Sequence, residues 1–359
     1  MSDGPTGRPE IDEILTAFPD PETGRSAIAL GQIRDVALDD GRLSLTLGLT
    51  TYSAPLWEET RADLKDQLTE RCPNLSGIDI RIAEHARPAE KIGEIGLTAK
   101  SVIAVGSGKG GVGKSTIAAT LAIGLQRCGA KVGLLDADVY GPSIPHLLGI
   151  EGQAEVIDER LQPIQANGVP VMSMGFLVPP GEAVIWRGPM LHGAITQFLR
   201  DTAWGDLDYL IIDMPPGTGD IALTLSQLLP LTGAVVVCTP QDVALLDAVK
   251  AITMFRKVNI DVLGLVENMS FFECTECHAR HEVFGSGGAK QRAKELEVPF
   301  LGDVPIHIAL RVRGDDGRTA ENFDDEAAAG WLMAICQTLV RNIAAARKAQ
   351  PPMPSLPVL

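Results

Sequence analysis

Residues 106–116 read Gly-Ser-Gly-Lys-Gly-Gly-Val-Gly-Lys-Ser-Thr, and this stretch constrains the fold more than any other in the chain. The residues before it, Ser101–Val105 (Ser-Val-Ile-Ala-Val), are apolar and rich in β-branching, as a buried parallel strand is. Ile117–Gln126 after it reads as helix. A strand-to-helix turn is the context in which G-x-x-x-x-G-K-[ST] makes a phosphate-binding loop, whereas a chance glycine cluster needs no such flanks. Without side chains, the backbone can wrap a β-phosphate and aim its N–H groups inward, while the helix N-terminus adds partial positive charge. In that geometry Lys114 reaches the β- and γ-phosphates and Ser115 ligates Mg²⁺. The expected nucleotide-binding set is Gly108, Lys109, Gly110, Gly111, Val112, Gly113, Lys114, Ser115 and Thr116.

From residue 99 to 347, strands and helices alternate: apolar strands fall at Val132–Asp136, Tyr209–Asp213, Ala234–Thr239 and Val262–Val266, with helical stretches between. This alternation predicts an α/β domain on a doubly wound, mostly parallel sheet, with ligands at the carboxyl ends of the strands. A small α+β domain precedes it over residues 8–86. Its helix Ile11–Phe18 is followed by strands Ile33–Leu38 and Leu43–Leu49 joined through Asp39-Asp40-Gly41, a hairpin signal. A charged helix Trp57–Arg71 and a strand Ile78–Ala83 complete it. Residues 87–98 read as a linker and 348–359, with four prolines, as a disordered tail.

The 359 residues, 45% hydrophobic and 21% charged, suffice for about two domains with substantial cores. A net charge of −15 argues against a nucleic-acid partner, since phosphate backbones demand clustered Lys and Arg. The polar opening resembles no signal peptide, and no apolar run approaches the roughly 20 residues of a spanning helix, so a cytoplasmic location without a membrane partner is expected. Six cysteines are too few and too scattered for a disulfide framework. Cys128, Cys238 and Cys336 fall in predicted helix or strand and read as core; Cys72, before Pro73, reads as an ordinary surface or half-buried thiol.

Cys274-Thr-Glu-Cys277 stands apart in a polar loop, because a two-residue spacing lets both thiolates face one metal centre. A thioredoxin-like dithiol would want a helix N-terminus soon after the first strand, and covalent haem on Cys277-His278 conflicts with a cytoplasmic location. A zinc site that recruits His278 or His281 stays open. So does a cluster to which two chains each donate two thiolates.

Lys109 adds a second lysine five positions before Lys114, and Lys109-Gly-Gly-Val-Gly-Lys-Ser-Thr116 resembles the deviant Walker A loop of the MinD/ParA/ArsA/nitrogenase-iron-protein class. The resemblance implies that Lys109 crosses a dimer interface to the partner's nucleotide, so that hydrolysis requires two subunits. It makes Asp138 the switch I residue that orients attacking water, with Asp136 supporting the site. Asp213, followed by Met-Pro-Pro-Gly-Thr-Gly-Asp220, matches Walker B plus switch II, where a carboxylate holds Mg²⁺ and the loop senses the γ-phosphate. Lys109, Lys114 and Asp138 are then the catalytic set, and Asn268 with the backbone around Pro305 is expected to hold the base.

The strings Trp186-Arg-Gly-Pro-Met190, Asp213–Asp220, Thr239-Pro-Gln-Asp-Val-Ala244, Glu267-Asn-Met-Ser270, the Cys274/Cys277 pair and Phe284-Gly-Ser-Gly-Gly288 occur in this order in the Mrp/ApbC family. The resemblance spans roughly residues 99–345. It implies an ATP-binding homodimer that holds a labile 4Fe-4S cluster between subunits on Cys274 and Cys277 and passes it to apo-proteins. Residues 10–85 resemble the small domain that often precedes this ATPase, through Pro21-Glu-Thr-Gly24 and Leu49-Thr-Thr-Tyr-Ser-Ala-Pro55. Many members carry a cysteine where this chain has Ala54, so direct metal handling by this domain is not expected. The rival readings are a MinD/ParA-type regulatory switch and an ATPase with a zinc-binding Cys/His loop. A membrane-binding switch would want a basic amphipathic C-terminal helix, and Val340–Ala349 is basic but weakly apolar.

Overall fold

The computed structural model describes residues 6–349 apart from 140, 178–187, 218, 275 and 278. Trp186, Arg187, Thr218, His278 and the proline-rich tail lie outside the described residues. Contacts divide the chain into two units, residues 6–87 with 340–349 and residues 88–339.

The first unit comprises α1 (Pro9–Ala17), β1 (Ile33–Asp39), β2 (Arg42–Leu49), α2 (Trp57–Arg71) and β3 (Gly77–Glu84). Asp40 and Gly41 both have positive φ (48° and 79°), the turn geometry that matches strand twist, and β1 and β2 pair antiparallel across it. β3 adds parallel to β2. Helix α2 carries Glu58 and Glu59 in its first turn and Arg71 in its last, which complements the helix dipole. Its Leu64 and Leu68 meet Ile11, Ile14 and Leu15 of α1 and Leu43, Leu45 and Leu47 of β2 in one core. At the string Pro21–Gly24 two buried carboxylates share one guanidinium: Arg87 Nη1 donates to Asp20 Oδ2 (3.0 Å) and Glu22 Oε2 (2.8 Å). The C-terminal residues Val340–Ala349 group with this unit, since Arg341 pairs with Glu59 (2.7 Å) and the Arg347 guanidinium lies 4.6 Å over the Tyr52 ring. The sequence reading carries the second domain through residue 347; by contact it stops at 339.

The second unit runs β4 (Lys91–Ile92), β5 (Leu97–Ser107), α3 (Lys114–Arg127), β6 (Val132–Asp136), α4 (Ile144–Leu147), β7 (Val156–Ile157), β8 (Arg160–Leu161), β9 (Ile164–Ala166), β10 (Val169–Ser173), α5 (Gly188–Asp201) and β11 (Leu207–Asp213). It continues with α6 (Gly219–Leu228), β12 (Gly233–Cys238), α7 (Asp242–Lys257), β13 (Val262–Glu273), β14 (Arg280–His281), α8 (Gly288–Glu295), β15 (Phe300–Ile306), α9 (Ile308–Asp315) and α10 (Glu326–Ala349), whose last turns group with the first unit. Among the described residues the main sheet has the order β14-β13-β12-β5-β11-β6-β10-β9, with β15 also on β13 and β4 on β5. The pairs β13–β12–β5–β11–β6–β10 and β13–β15 are parallel. The fold class is therefore α/β with a mostly parallel sheet, as the alternation predicts, and helices cover fully buried strands such as Val102–Val105.

Two expectations change. Residues 87–98 are not a plain linker: Lys91 and Ile92 pair antiparallel with Thr98 and Leu97, because Ile92 and Leu97 pack on the sheet's apolar core. β13 does not stop at Val266 but continues to Glu273, where it forms one arm of a hairpin. Among the described residues no helix is long and apolar enough to cross a membrane.

Candidate functional site

The loop 108–113 joins β5, at the centre of the sheet, to α3. Its close packing explains two of its glycines. A Cβ on Gly108 would lie 2.1 Å from the carbonyl oxygen of Asp247 on α7, a backbone atom that no rotamer change can move. Gly113 has φ +82°, and a Cβ there would lie 2.0 Å from Asn268 Nδ2, which donates to Val112 O at 2.9 Å. Gly217 N donates to Ser107 O (2.9 Å), so the loop after β11 is tied to the strand that bears the glycine turn. Lys109 is half-buried, and its ammonium has no ion-pair partner among the described residues.

Lys114 is buried, with Nζ 2.6 Å from Asp213 Oδ1, 3.5 Å from Asp138 Oδ2 and 3.1 Å from Ser115 Oγ. Lys114, Asp213 and Asp138 thus form one cluster at adjacent strand ends. Burial raises the Asp213 carboxyl above its ordinary range, with the Lys114 ammonium acting the other way. Its Oδ2 is buried without a hydrogen-bond partner among the described residues. An unpartnered carboxylate oxygen in the same cluster as the Ser115 hydroxyl is a donor set that fits Mg²⁺, a hard cation with oxygen ligands. Asp136 lies opposite Asp213 in the β6–β11 register. It accepts from Asp138 N (3.1 Å), Ile144 N (3.2 Å) and Ser173 Oγ (3.0 Å), which pins the loop after β6. Burial and then the charge of Asp213 push Asp136 up to about 8.

Beside Gly113 lies a mainly apolar cavity of about 390 Å³ whose walls include Thr116, Asn268, Pro305, His307 and Leu310. Asn268 and Pro305 therefore meet at one pocket next to the loop. Sequence reasoning missed His307 and Met269; His307 lies two positions past Pro305 and Met269 directly follows Asn268, but neither residue type signals a base pocket. Glu267 has a structural task. Its carboxylate accepts from Gly287 N (2.9 Å) and Ala289 N (2.7 Å) and so caps the start of α8.

The cysteines sit at the tip of the β13–β14 hairpin. Phe272 pairs with His281 and Glu273 with Arg280, and Cys274 N donates to Ala279 O at 3.0 Å. Cys274 is half-buried and Cys277 exposed. The His281 ring stacks near Phe272 (6.4 Å between centroids). Among the described residues no group of three or more His, Cys, Asp or Glu gathers at metal-binding geometry. The remaining thiols differ in kind. Cys72, Cys238 and Cys336 are buried and Cys128 is partly so; burial raises all four, Cys238 to about 12.

A parallel sheet of this order, with a lysine-bearing glycine turn after its central strand and acids at the neighbouring strand ends, defines a P-loop NTPase of the MinD/ParA-like fold. Residues 98–340 match the model of the NUBPL iron-transfer P-loop NTPase, and residues 8–77 that of an iron-sulfur cluster assembly protein. The chain belongs to the NUBPL iron-transfer P-loop NTPase family. It is similar to the iron-sulfur cluster carrier protein of Deinococcus radiodurans, 45% identical over 96% of this chain and 98% of that one. A solved nucleotide-binding protein from Archaeoglobus fulgidus in complex with ADP is 46% identical, with a TM-score of 0.56 over 62% of this chain and 89% of that one. The Pyrococcus furiosus cell division ATPase MinD, 21% identical with a TM-score of 0.51 over 67% of this chain and 98% of that one, shares the fold.

Proposed function

We propose that the protein is an ATP-dependent iron–sulfur cluster carrier: a homodimer that binds a labile 4Fe-4S cluster on Cys274 and Cys277 of both copies and transfers it to apo-proteins in the cytoplasm. The observation that carries this reading is β13. Its Asn268 bonds to the P-loop carbonyl of Val112, and the same strand runs on to Glu273, directly before the first cysteine of the hairpin. The contact to the P-loop and the thiol pair thus lie along one continuous strand.

The glycine loop wraps the phosphates with its N–H groups, and Lys114 swings from Asp213 and Asp138 to the β- and γ-phosphates. Ser115 and Asp213 hold Mg²⁺, which when bound neutralises charge developing on the phosphate oxygens. Asp138, released from Lys114, accepts a hydrogen bond from the attacking water and orients it. Lys109 reaches the nucleotide of the second copy, and its lack of an ion pair within the described chain is consistent with a partner elsewhere. Apolar side chains support an interface on this face: Val243 and Leu246 of α7, beside the loop, are 66% and 57% exposed, and Leu223 of α6 is 46% exposed. Two thiols per chain become four in such a dimer, enough for a cubane.

Anaerobic reconstitution with iron and sulfide tests the cargo. Wild type is expected to take up about four iron and four sulfide per dimer and to show a charge-transfer absorbance that Cys274→Ala/Cys277→Ala lacks. Equal incorporation by both proteins, or stoichiometric zinc instead, would sink the carrier reading and leave a switch or a zinc-stabilised ATPase.

A further inference from the structure

A residue in the wall of the cavity beside the P-loop carries a buried polar atom that no described residue satisfies. His307 lines its wall, and His307 Nδ1 is buried with no hydrogen-bond partner among the described residues. A buried, unpaired imidazole nitrogen is costly, and such atoms cluster where a ligand completes them. The ring also stands at one end of a row of side chains. His307 meets Trp331 of α10 edge-on (centroids 5.7 Å apart, 66° between planes). Trp331 meets Phe271 of β13 in the same way (6.5 Å, 87°), and the Arg280 guanidinium caps Phe271 at 3.6 Å. Arg280 is the residue of β14 that faces Glu273, one position before Cys274. The row therefore runs from the wall of the cavity to the base of the cysteine hairpin.

The backbone between the same endpoints is under strain. Met269, also in the cavity wall, has φ +58°, where an unbranched side chain is rarely found, and the β13–β15 register slips between Asn268 and Phe272. A bulge of this kind lets a strand end re-aim without breaking the sheet.

We propose that His307 is a base-recognition residue whose ring turns to bring Nδ1 onto the edge of a purine ring in the cavity, and that Trp331, Phe271 and Arg280 are positioning residues that set the Cys274/Cys277 hairpin according to whether that base is bound. The proposal rests on the reading of the cavity as the nucleotide-base pocket. Filling the bond to Nδ1 fixes the imidazole, and edge-to-face ring pairs resist tilting, so the preferred ring orientation passes along the row to Arg280. The bulge at Met269 gives the strand the freedom to follow. Coupling is reciprocal: whatever factor the base contributes to the hairpin, a ligand on the thiols contributes to nucleotide affinity.

The test uses the full chain without cluster, the ATP analogue AMP-PNP with Mg²⁺, and the rate at which DTNB titrates the hairpin thiols, with Cys274→Ala/Cys277→Ala as the background. Nucleotide is expected to change the wild-type thiol rate by about threefold or more, within the range of ordinary couplings. In Trp331→Leu and in Arg280→Gln, which alters an exposed side chain and spares the core, AMP-PNP affinity stays within about twofold while the change in thiol rate disappears. His307→Ala weakens AMP-PNP about three- to tenfold, the loss of one buried hydrogen bond, and removes the response as well. A full nucleotide response in both Arg280→Gln and Trp331→Leu, no response in wild type that binds AMP-PNP, or unchanged affinity in His307→Ala overturns the proposal. Failure of wild type to bind AMP-PNP overturns instead the nucleotide reading beneath it.

Discussion

Replacing Gly113 with alanine puts a methyl carbon where Asn268 keeps its amide, and the cost can be worked out in parts. The φ of +82° is left-handed, so any Cβ there costs about 1 kcal/mol. The new atom would also lie 2.0 Å from Asn268 Nδ2 and 3.3 Å from Asn268 Cγ, so the amide must turn away. Its bond to Val112 O then breaks and leaves a buried carbonyl without a donor, about 2 kcal/mol more. The total is roughly 3 kcal/mol. Gly111 is the control: it has φ +78° but nothing within 4 Å of a Cβ, so Gly111→Ala should cost about 1 kcal/mol. The difference of about 2 kcal/mol, roughly 30-fold in the unfolding equilibrium, is measurable as a shift in urea midpoint for the second unit without nucleotide. A double-mutant cycle isolates the mechanism. Asn268→Ala alone should cost about 2 kcal/mol, and in that background Gly113→Ala should cost about 1 instead of 3, because the hydrogen bond can be lost only once. Costs that add in the double mutant would refute the contact between the P-loop and β13, and with it the structural basis for linking nucleotide to the hairpin.

Lys114→Ala is expected to abolish ATP turnover, measured as phosphate release, and to leave the buried Asp213 without its nearest counter-charge. Lys109→Ala, at a half-buried position without an ion pair among the described residues, should keep stability within about 0.5 kcal/mol and retain ATP binding while turnover falls; unchanged turnover in both variants would refute the two-lysine assignment. Asp136, pushed up to about 8 from an ordinary value of 3.8, holds a proton in the folded protein that the unfolded chain releases. The native state then binds more protons than the unfolded state between these limits, so this contribution to stability is full below pH 3.8 and is lost as pH rises through about 8. Asp136→Asn should therefore make stability decline less steeply than wild type between pH 5 and 8, by at most about 1.4 kcal/mol per pH unit; parallel curves would show that Asp136 is ionised throughout. The Ser173 hydroxyl, now donating to Asp136 Oδ2 at 3.0 Å, can turn to accept the proton.

What the sequence made legible was local. Ser101–Val105, the glycine turn and Ile117–Gln126 announce strand, loop and helix because each signal lies within a few residues of the structure it dictates. The hairpin at Asp40-Gly41 and helix Trp57–Arg71 were legible for the same reason, through turn and charge chemistry, and the helix bounds match residue for residue. The short strands Ile164–Ala166 and Lys91–Ile92 were not, because two or three residues carry no period and their pairing depends on a distant partner's edge. The extension of β13 to Glu273 was missed because Asn268-Met-Ser interrupts the apolar run of the strand; the structure accommodates it with a positive φ at Met269.

The same distinction separates the parts of the candidate site. Lys114, Asp138 and Asp213 belong to recognisable strings, yet their meeting within 3.5 Å of one ammonium results from the order β5-β11-β6, which places the ends of strands distant in sequence side by side. His307, Trp331 and Phe271 belong to three elements, and none has a neighbour in sequence that hints at the others. Their row exists because β15 and β13 pair in parallel and end together, so that the helix start after β15 and the hairpin after β13 lie at the same edge of the sheet. A cysteine pair placed at the amino end of the sheet would have the same spacing and the same thiol chemistry but no contact with the nucleotide edge. Position on the sheet, more than the Cys-x-x-Cys spacing itself, is what makes nucleotide control of the thiols physically available in this chain.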